Sequence, residues 1–160
     1  MTLIYVMCHR NPDSHWLQKW FEEEASKLSL DNITYKYIDN GLEYGPPNKA
    51  NIKADIFAGN QQYQTADVVY VPDCGGAWHK SQDKEYTPHR NTMKMKFIHL
   101  ITMLFEWVKD GGWLYVGKIM HPDLEEFLLQ DLGFEKRANT WNENLEPLTL
   151  YRKKKSLLLL

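Results

Sequence analysis

The 160-residue sequence holds only two cysteines, Cys8 and Cys74, too few for a disulfide framework. It carries no excess of either charge: 19 basic and 21 acidic residues leave a formal net charge of −2. A global basic field that would hold nucleic acid is therefore excluded, and there is no acidic tail. The longest apolar run near the start, Leu3–Met7, is far too short to cross a bilayer. No repeat of 20–50 residues and no low-complexity linker interrupts the chain. These absences predict a soluble, cytoplasmic domain with free thiols and without a signal peptide before its first strand.

What is present is an alternation of strands and helices. Leu3-Ile4-Tyr5-Val6-Met7 reads as a strand buried on both faces. The turn Asn11-Pro12-Asp13-Ser14 follows, then Trp16, Leu17, Trp20, Phe21 and Leu28 at helical spacing. Glu22-Glu23-Glu24 is expected on or beside the solvent face of that helix. Ile33–Ile38 is a second strand, closed by Asp39-Asn40-Gly41, and "NGLEYGPPNKAN" is a loop. "IKADIFAG" is a weak third strand and "ADVVYVPD" a clear fourth. The polar stretch 75–92 is a long loop of the kind that carries function. A helix with Phe97, Ile98, Ile101, Leu104, Phe105 and Val108 on its apolar face should then end at Asp110-Gly111-Gly112. "WLYVGKI" is a fifth strand, a helix starts at Pro122 and ends at Gly133, and "FEKRANTW" and "EPLTLYRKK" form a terminal hairpin.

That order implies a three-layer α/β sandwich with a mainly parallel sheet and a C-terminal antiparallel hairpin. The strand Asp67–Val71 should lie centrally with parallel neighbours, since only a strand covered on both faces tolerates Val-Val-Tyr-Val. One domain over residues 1–152 and a basic, leucine-rich tail over 153–160 complete the layout.

The second half resembles the C-terminal half of Rossmann-like, S-adenosylmethionine-dependent methyltransferases. The segments that carry the resemblance are "ADVVYVPD", "WVKDGGWLYVGKI", "LEEFLLQDLGFEKR" and the final hairpin, about residues 66–152. The resemblance implies S-adenosylmethionine as cofactor, bound at the carboxyl ends of the strands. It assigns Asp39 to the ribose, Asp55 to the adenine side, His9 to the cofactor turn, and Asp73 and His79 to the substrate side. The first half departs from the family. Its first turn, Cys8-His9-Arg10-Asn11-Pro12-Asp13, contains no glycine, and glycine is what lets backbone approach a cofactor. Two readings stay open: a methyltransferase-like domain, degenerate in its site, and a non-catalytic subunit of a protein assembly.

Other chemistry is weaker. His9, Asp13 and His15, or His79, Asp83 and His89, are metal-capable residue types without a diagnostic spacing, and loop histidines beside a capping Asp explain them more simply. No metal is expected. Cys74 beside His79 has the parts of an activated nucleophile, but a cysteine ending a buried strand is more simply a small apolar residue. Trp78 and Trp141 fall in or near polar segments, where an exposed indole stacks on a base or a partner. The tail "RKKKSLLLL" combines a basic run, expected to stay in water, with four leucines expected to be buried against this domain or a neighbour. A protein partner or a second copy of the chain is the expected company, rather than nucleic acid.

Overall fold

Strand β1 (Thr2–Met7) and strand β4 (Ala66–Val71) form because every second residue has somewhere apolar to go on each side. Ile4, Val6, Val68 and Tyr70 point into one buried cluster, and Tyr5, Met7, Val69 and Val71 into another. The computed structural model describes residues 2–7, 15–39, 49–53, 65–71, 106–117, 122–141, 145 and 147–155. Within them the remaining strands are β2 (Ile33–Asp39), β3 (Ile52–Lys53), β5 (Val108–Gly117), β6 (Phe134–Trp141) and β7 (Pro147–Lys153). Helix α1 spans His15–Leu28 and helix α2 spans Pro122–Gln130.

The seven strands make one sheet in the order β3-β2-β1-β4-β5-β7-β6. β1 to β5 are mutually parallel, and β7 is antiparallel to both β5 and β6. β4 lies between β1 and β5, parallel to both, as its uninterrupted apolar run requires. On one face, Leu17, Trp20 and Phe21 of α1 pack on Tyr70 and Tyr115. Trp20 meets Tyr115 with centroids 5.3 Å apart, and Phe21 meets Tyr70 at the same separation, both edge to face. Such pairs contribute about 0.5–1.5 kcal/mol each beyond area burial. On the other face, Trp107 and Leu128 of α2 close the second cluster with Leu114, Phe134 and Tyr151.

Two expectations about the segment before β5 are corrected. The helix before β5 ends at Trp107, so Val108 opens the strand instead of extending the helix face. Val108 pairs with Ala66, and the ladder then slips before Trp113 pairs with Val68. Gly111, at φ +77°, and Gly112 absorb the slip as an irregularity inside β5 instead of capping a helix. A Cβ on Gly112 would lie 2.8 Å from the Lys109 carbonyl oxygen and 3.0 Å from that of Asp67, so only glycine fits. The described part of the third strand is Ile52–Lys53, and residues 54–64 lie outside the described residues.

Glu24 is buried, not on the solvent face with the exposed Glu22 and Glu23. It accepts a 2.5 Å hydrogen bond from the Tyr115 hydroxyl and a 2.9 Å one from Lys27 Nζ. Burial, then Glu24 itself, pushes the Tyr115 phenol far up, so it remains a donor. Lys153 belongs to β7 and not to a solvated tail; it is 8% exposed, and its Nζ donates to the Val108 carbonyl at 2.7 Å. The leucines 157–160 lie outside the described residues.

Two small devices hold the frame. α1 ends in a Schellman turn: Ser29 is left-handed at φ 56° and Leu30 N–H bonds the Ala25 carbonyl at 2.9 Å. Asp67 clasps the three central strands: its carboxylate accepts from Leu3 N–H of β1 at 2.8 Å and pairs with Lys109 of β5. Burial pushes the Asp67 carboxyl up, but Lys109 and the Leu3 N–H outweigh it and hold it below the ordinary 3.8.

Replacing Ser29 by Gly removes the penalty of a Cβ in the left-handed region. Ser29→Gly should raise stability by about 0.5–1 kcal/mol, seen as a higher urea midpoint at unchanged slope. A lower midpoint would refute the cap. Asp67→Asn should cost about 1–3 kcal/mol at pH 7. Because the folded carboxyl lies below its unfolded value, its stabilisation is complete above pH ~4 and is lost as pH falls through the folded pKa. The gap between parent and variant, followed by urea melts from pH 7 to pH 3, should therefore close on acidification; a constant gap would contradict the clasp.

Candidate functional site

Because β1 to β5 run in one direction, their carboxyl ends share one edge of the sheet. Connections leave β1 toward β2 on one side and β4 toward β5 on the other, so the order reverses between β1 and β4. In open parallel sheets a ligand binds outside the carboxyl ends at such a switch point. The described residues at this edge are Met7, Asp39, Lys53, Val71 and Gly117, the last residues of the five strands.

Asp39, expected to hold a ribose, ends β2 one strand away from the switch point and is half-buried. It stands level with Lys53 of β3 in the parallel register. Sequence reasoning missed Lys53: a lysine in a weak strand carries no signal until the pairing places it beside an acid. His9 follows β1 by two residues and Asp73 follows β4 by two; both lie outside the described residues, as do Asp55, His79 and Cys74. Among the described residues no three His, Cys, Asp or Glu side chains cluster to hold a metal ion. Of the two histidine sets, only the backbone of His15, the first residue of α1, is described. Among the described residues no helix is long and apolar enough to cross a membrane.

The hairpin adds an apolar rim to the same edge. Antiparallel pairing sets Leu148 beside Gly117 and Pro147 beside Trp141, so these facing ends of β6 and β7 lie at the carboxyl end of β5. Trp141 is 60% exposed and Leu145 79%. The exposure of Trp141 agrees with its reading as a surface indole, whereas Trp20 is core as expected. The Trp141 carbonyl accepts a 2.8 Å hydrogen bond from Trp20 Nε1, which ties the rim to α1.

No family model matches the chain, and no curated protein matches it in sequence. The likeness is to solved structures. The N-methyltransferase NodS from Bradyrhizobium japonicum aligns over 96% of this chain and 85% of its own, with TM-score 0.56 and 10% identity. An O-methyltransferase family 2 protein from Planctomyces limnophilus, solved with apigenin, aligns over 95% of this chain with TM-score 0.52 and 8% identity. TrmN from Thermus thermophilus aligns over 95% with TM-score 0.51 and 13% identity. This chain spans 50% and 44% of the length of those last two. At such identities the likeness concerns the backbone alone, and it agrees with the strand order: the chain has a methyltransferase-like α/β fold.

Proposed function

We propose that this chain is a methyltransferase-like domain, degenerate in its cofactor turn, that holds an adenosine-type ligand at the carboxyl edge of its sheet. The observation that carries the reading is Asp39, a half-buried carboxylate ending the strand next to the switch point. A carboxylate there would accept hydrogen bonds from the two ribose hydroxyls, worth about 1.5–3 kcal/mol for a charged acceptor. Asp55 would flank the adenine and His9 the remainder of the ligand, the roles that the family resemblance implies. S-adenosylmethionine, when bound, supplies a methyl group on a positively charged sulfur. Asp73 and His79 follow β4 in sequence and would face the methyl acceptor, His79 as the group that takes its proton.

The glycine-free turn "CHRNPD" argues for weak cofactor binding, because side chains stand in the sequence where open backbone is needed. One observation favours the second reading, a non-catalytic assembly subunit. Trp141 and Leu145 expose apolar surface on the rim of the same edge, where a protein partner would bury it.

Calorimetric titration separates the two. S-adenosylmethionine should bind more weakly than about 100 μM, near −5.5 kcal/mol. S-adenosylhomocysteine or adenosine should bind measurably, and Asp39→Ala should weaken that binding about tenfold or more. A low-micromolar constant for S-adenosylmethionine would overturn the degenerate site in favour of an active enzyme. Silence toward all three ligands at about 1 mM would overturn the ligand site and leave the assembly reading.

A further inference from the structure

The opposite edge of the sheet carries a different chemistry. β7 runs against β5, so its basic end arrives where β5 begins, and β6 starts beside it. Arg137 from β6 and Arg152, Lys153, Lys154 and Lys155 from the end of β7 converge around Gly111 on a cavity of about 290 Å³. One acid, Glu135, shares the lining and is already paired with Arg137. We propose that this cavity binds a small polyphosphorylated anion.

The charges are concentrated and partly held in place. The Arg152 guanidinium lies over the Trp113 ring, 4.9 Å from its centroid, a stacking that orients its donors. Arg137 carries five N–H donors, so its pairing with Glu135 leaves donors for a second anion. Lys153 Nζ donates to the Val108 carbonyl and lies 3.8 Å from an Asp110 carboxylate oxygen, so Arg137, Arg152, Lys154 and Lys155 supply the contacts to the anion. The chain is fixed beyond the strand, since Lys154 N–H bonds the Gly133 carbonyl at 2.9 Å. Lys154 and Lys155 are exposed. Carboxylates do reach the cavity cations, Glu135 beside Arg137 and Asp110 beside Lys153, but they are two acids among five cations.

Size selects the class of anion. The volume is at the lower end for ligand pockets, about 300–1,000 Å³, which suits two or three linked phosphates. A nucleic-acid backbone needs cations spaced along a groove. Beyond Arg137, the exposed β6 residues Ala138 and Asn139 are uncharged, and the whole chain is net negative. The phosphates are those of a free polyphosphate or of a nucleoside polyphosphate.

The test is titration of the full chain with inorganic tripolyphosphate at about 50 mM salt, with ATP in parallel. A dissociation constant of about 10–100 μM is expected, weakened about tenfold or more by Lys154→Glu combined with Lys155→Glu. Circular dichroism should show the variant melting as the parent does. ATP is read in the Asp39→Ala chain, where the adenosine site at the other edge is weakened: affinity equal to tripolyphosphate supports recognition of the phosphates alone, and tighter ATP supports a nucleoside-borne anion. Asp39→Ala, at the far edge, should leave tripolyphosphate binding intact, so failure of the ribose site would not be mistaken for failure here. No binding at about 1 mM tripolyphosphate, an unaffected double variant, or stronger retention of a single-stranded oligonucleotide than of tripolyphosphate would each overturn the proposal.

Discussion

β4 has to be covered on both faces at once, and most of this molecule follows from that requirement. Val68 and Tyr70 face α1 while Val69 and Val71 face the layer of Trp107 and α2. A strand buried in this way can be paired only by strands that are themselves covered, and β1 and β5 obey the same rule. Crossover connections between parallel strands then bring every strand end of one sense to one edge. The aromatic contacts of Trp20 and Phe21 with Tyr70 and Tyr115 set α1 on the sheet. The Glu24 carboxylate within that layer is tolerable because Tyr115 and Lys27 satisfy it.

The sheet is polarised as a consequence. Its carboxyl edge gathers Asp39, Lys53 and an apolar rim of Trp141 and Leu145. Its amino edge gathers Arg137, Arg152 and the lysines that follow. The Asp67 clasp and the glycines at 111 and 112 lie toward the amino edge, where β5 must shift register to stay paired with β4. A close backbone approach at Gly112 is the cost of that shift. Because β7 reverses direction, it begins at one edge, with Pro147 beside Trp141, and brings its basic end to the other.

Much of the architecture was legible in the residues. Continuous apolar runs at 3–7 and 66–71, a helix face of Leu17, Trp20 and Phe21, and "DLGFEKR" before the hairpin report burial and period directly. The site was less legible. Asp39 could be placed at a strand end, but its company at the edge depends on which strand lies beside β2, and Lys53 emerges only from that pairing. The glycine pair after "WVKD" looks the same in sequence whether it caps a helix or absorbs a strand slip. The difference is the 3.0 Å clearance to the Asp67 carbonyl on the neighbouring strand, a long-range fact.

By itself, then, the sequence determined the alternation of elements, the parallel core with its antiparallel hairpin, and the central place of β4, because hydrophobic period is a local property with a global meaning. Only the tertiary structure decided the fate of the charged groups. Glu24 and Lys153 read as solvated side chains in any window of the sequence, yet both are buried. Their partners, Tyr115 and the Val108 carbonyl, lie 91 and 45 residues away. The same holds for the basic cavity, where Arg137 and Arg152 meet only because β6 and β7 pair. Charge is expressed through neighbours, and neighbours across a sheet are set by strand order and register, which no local stretch of residues encodes.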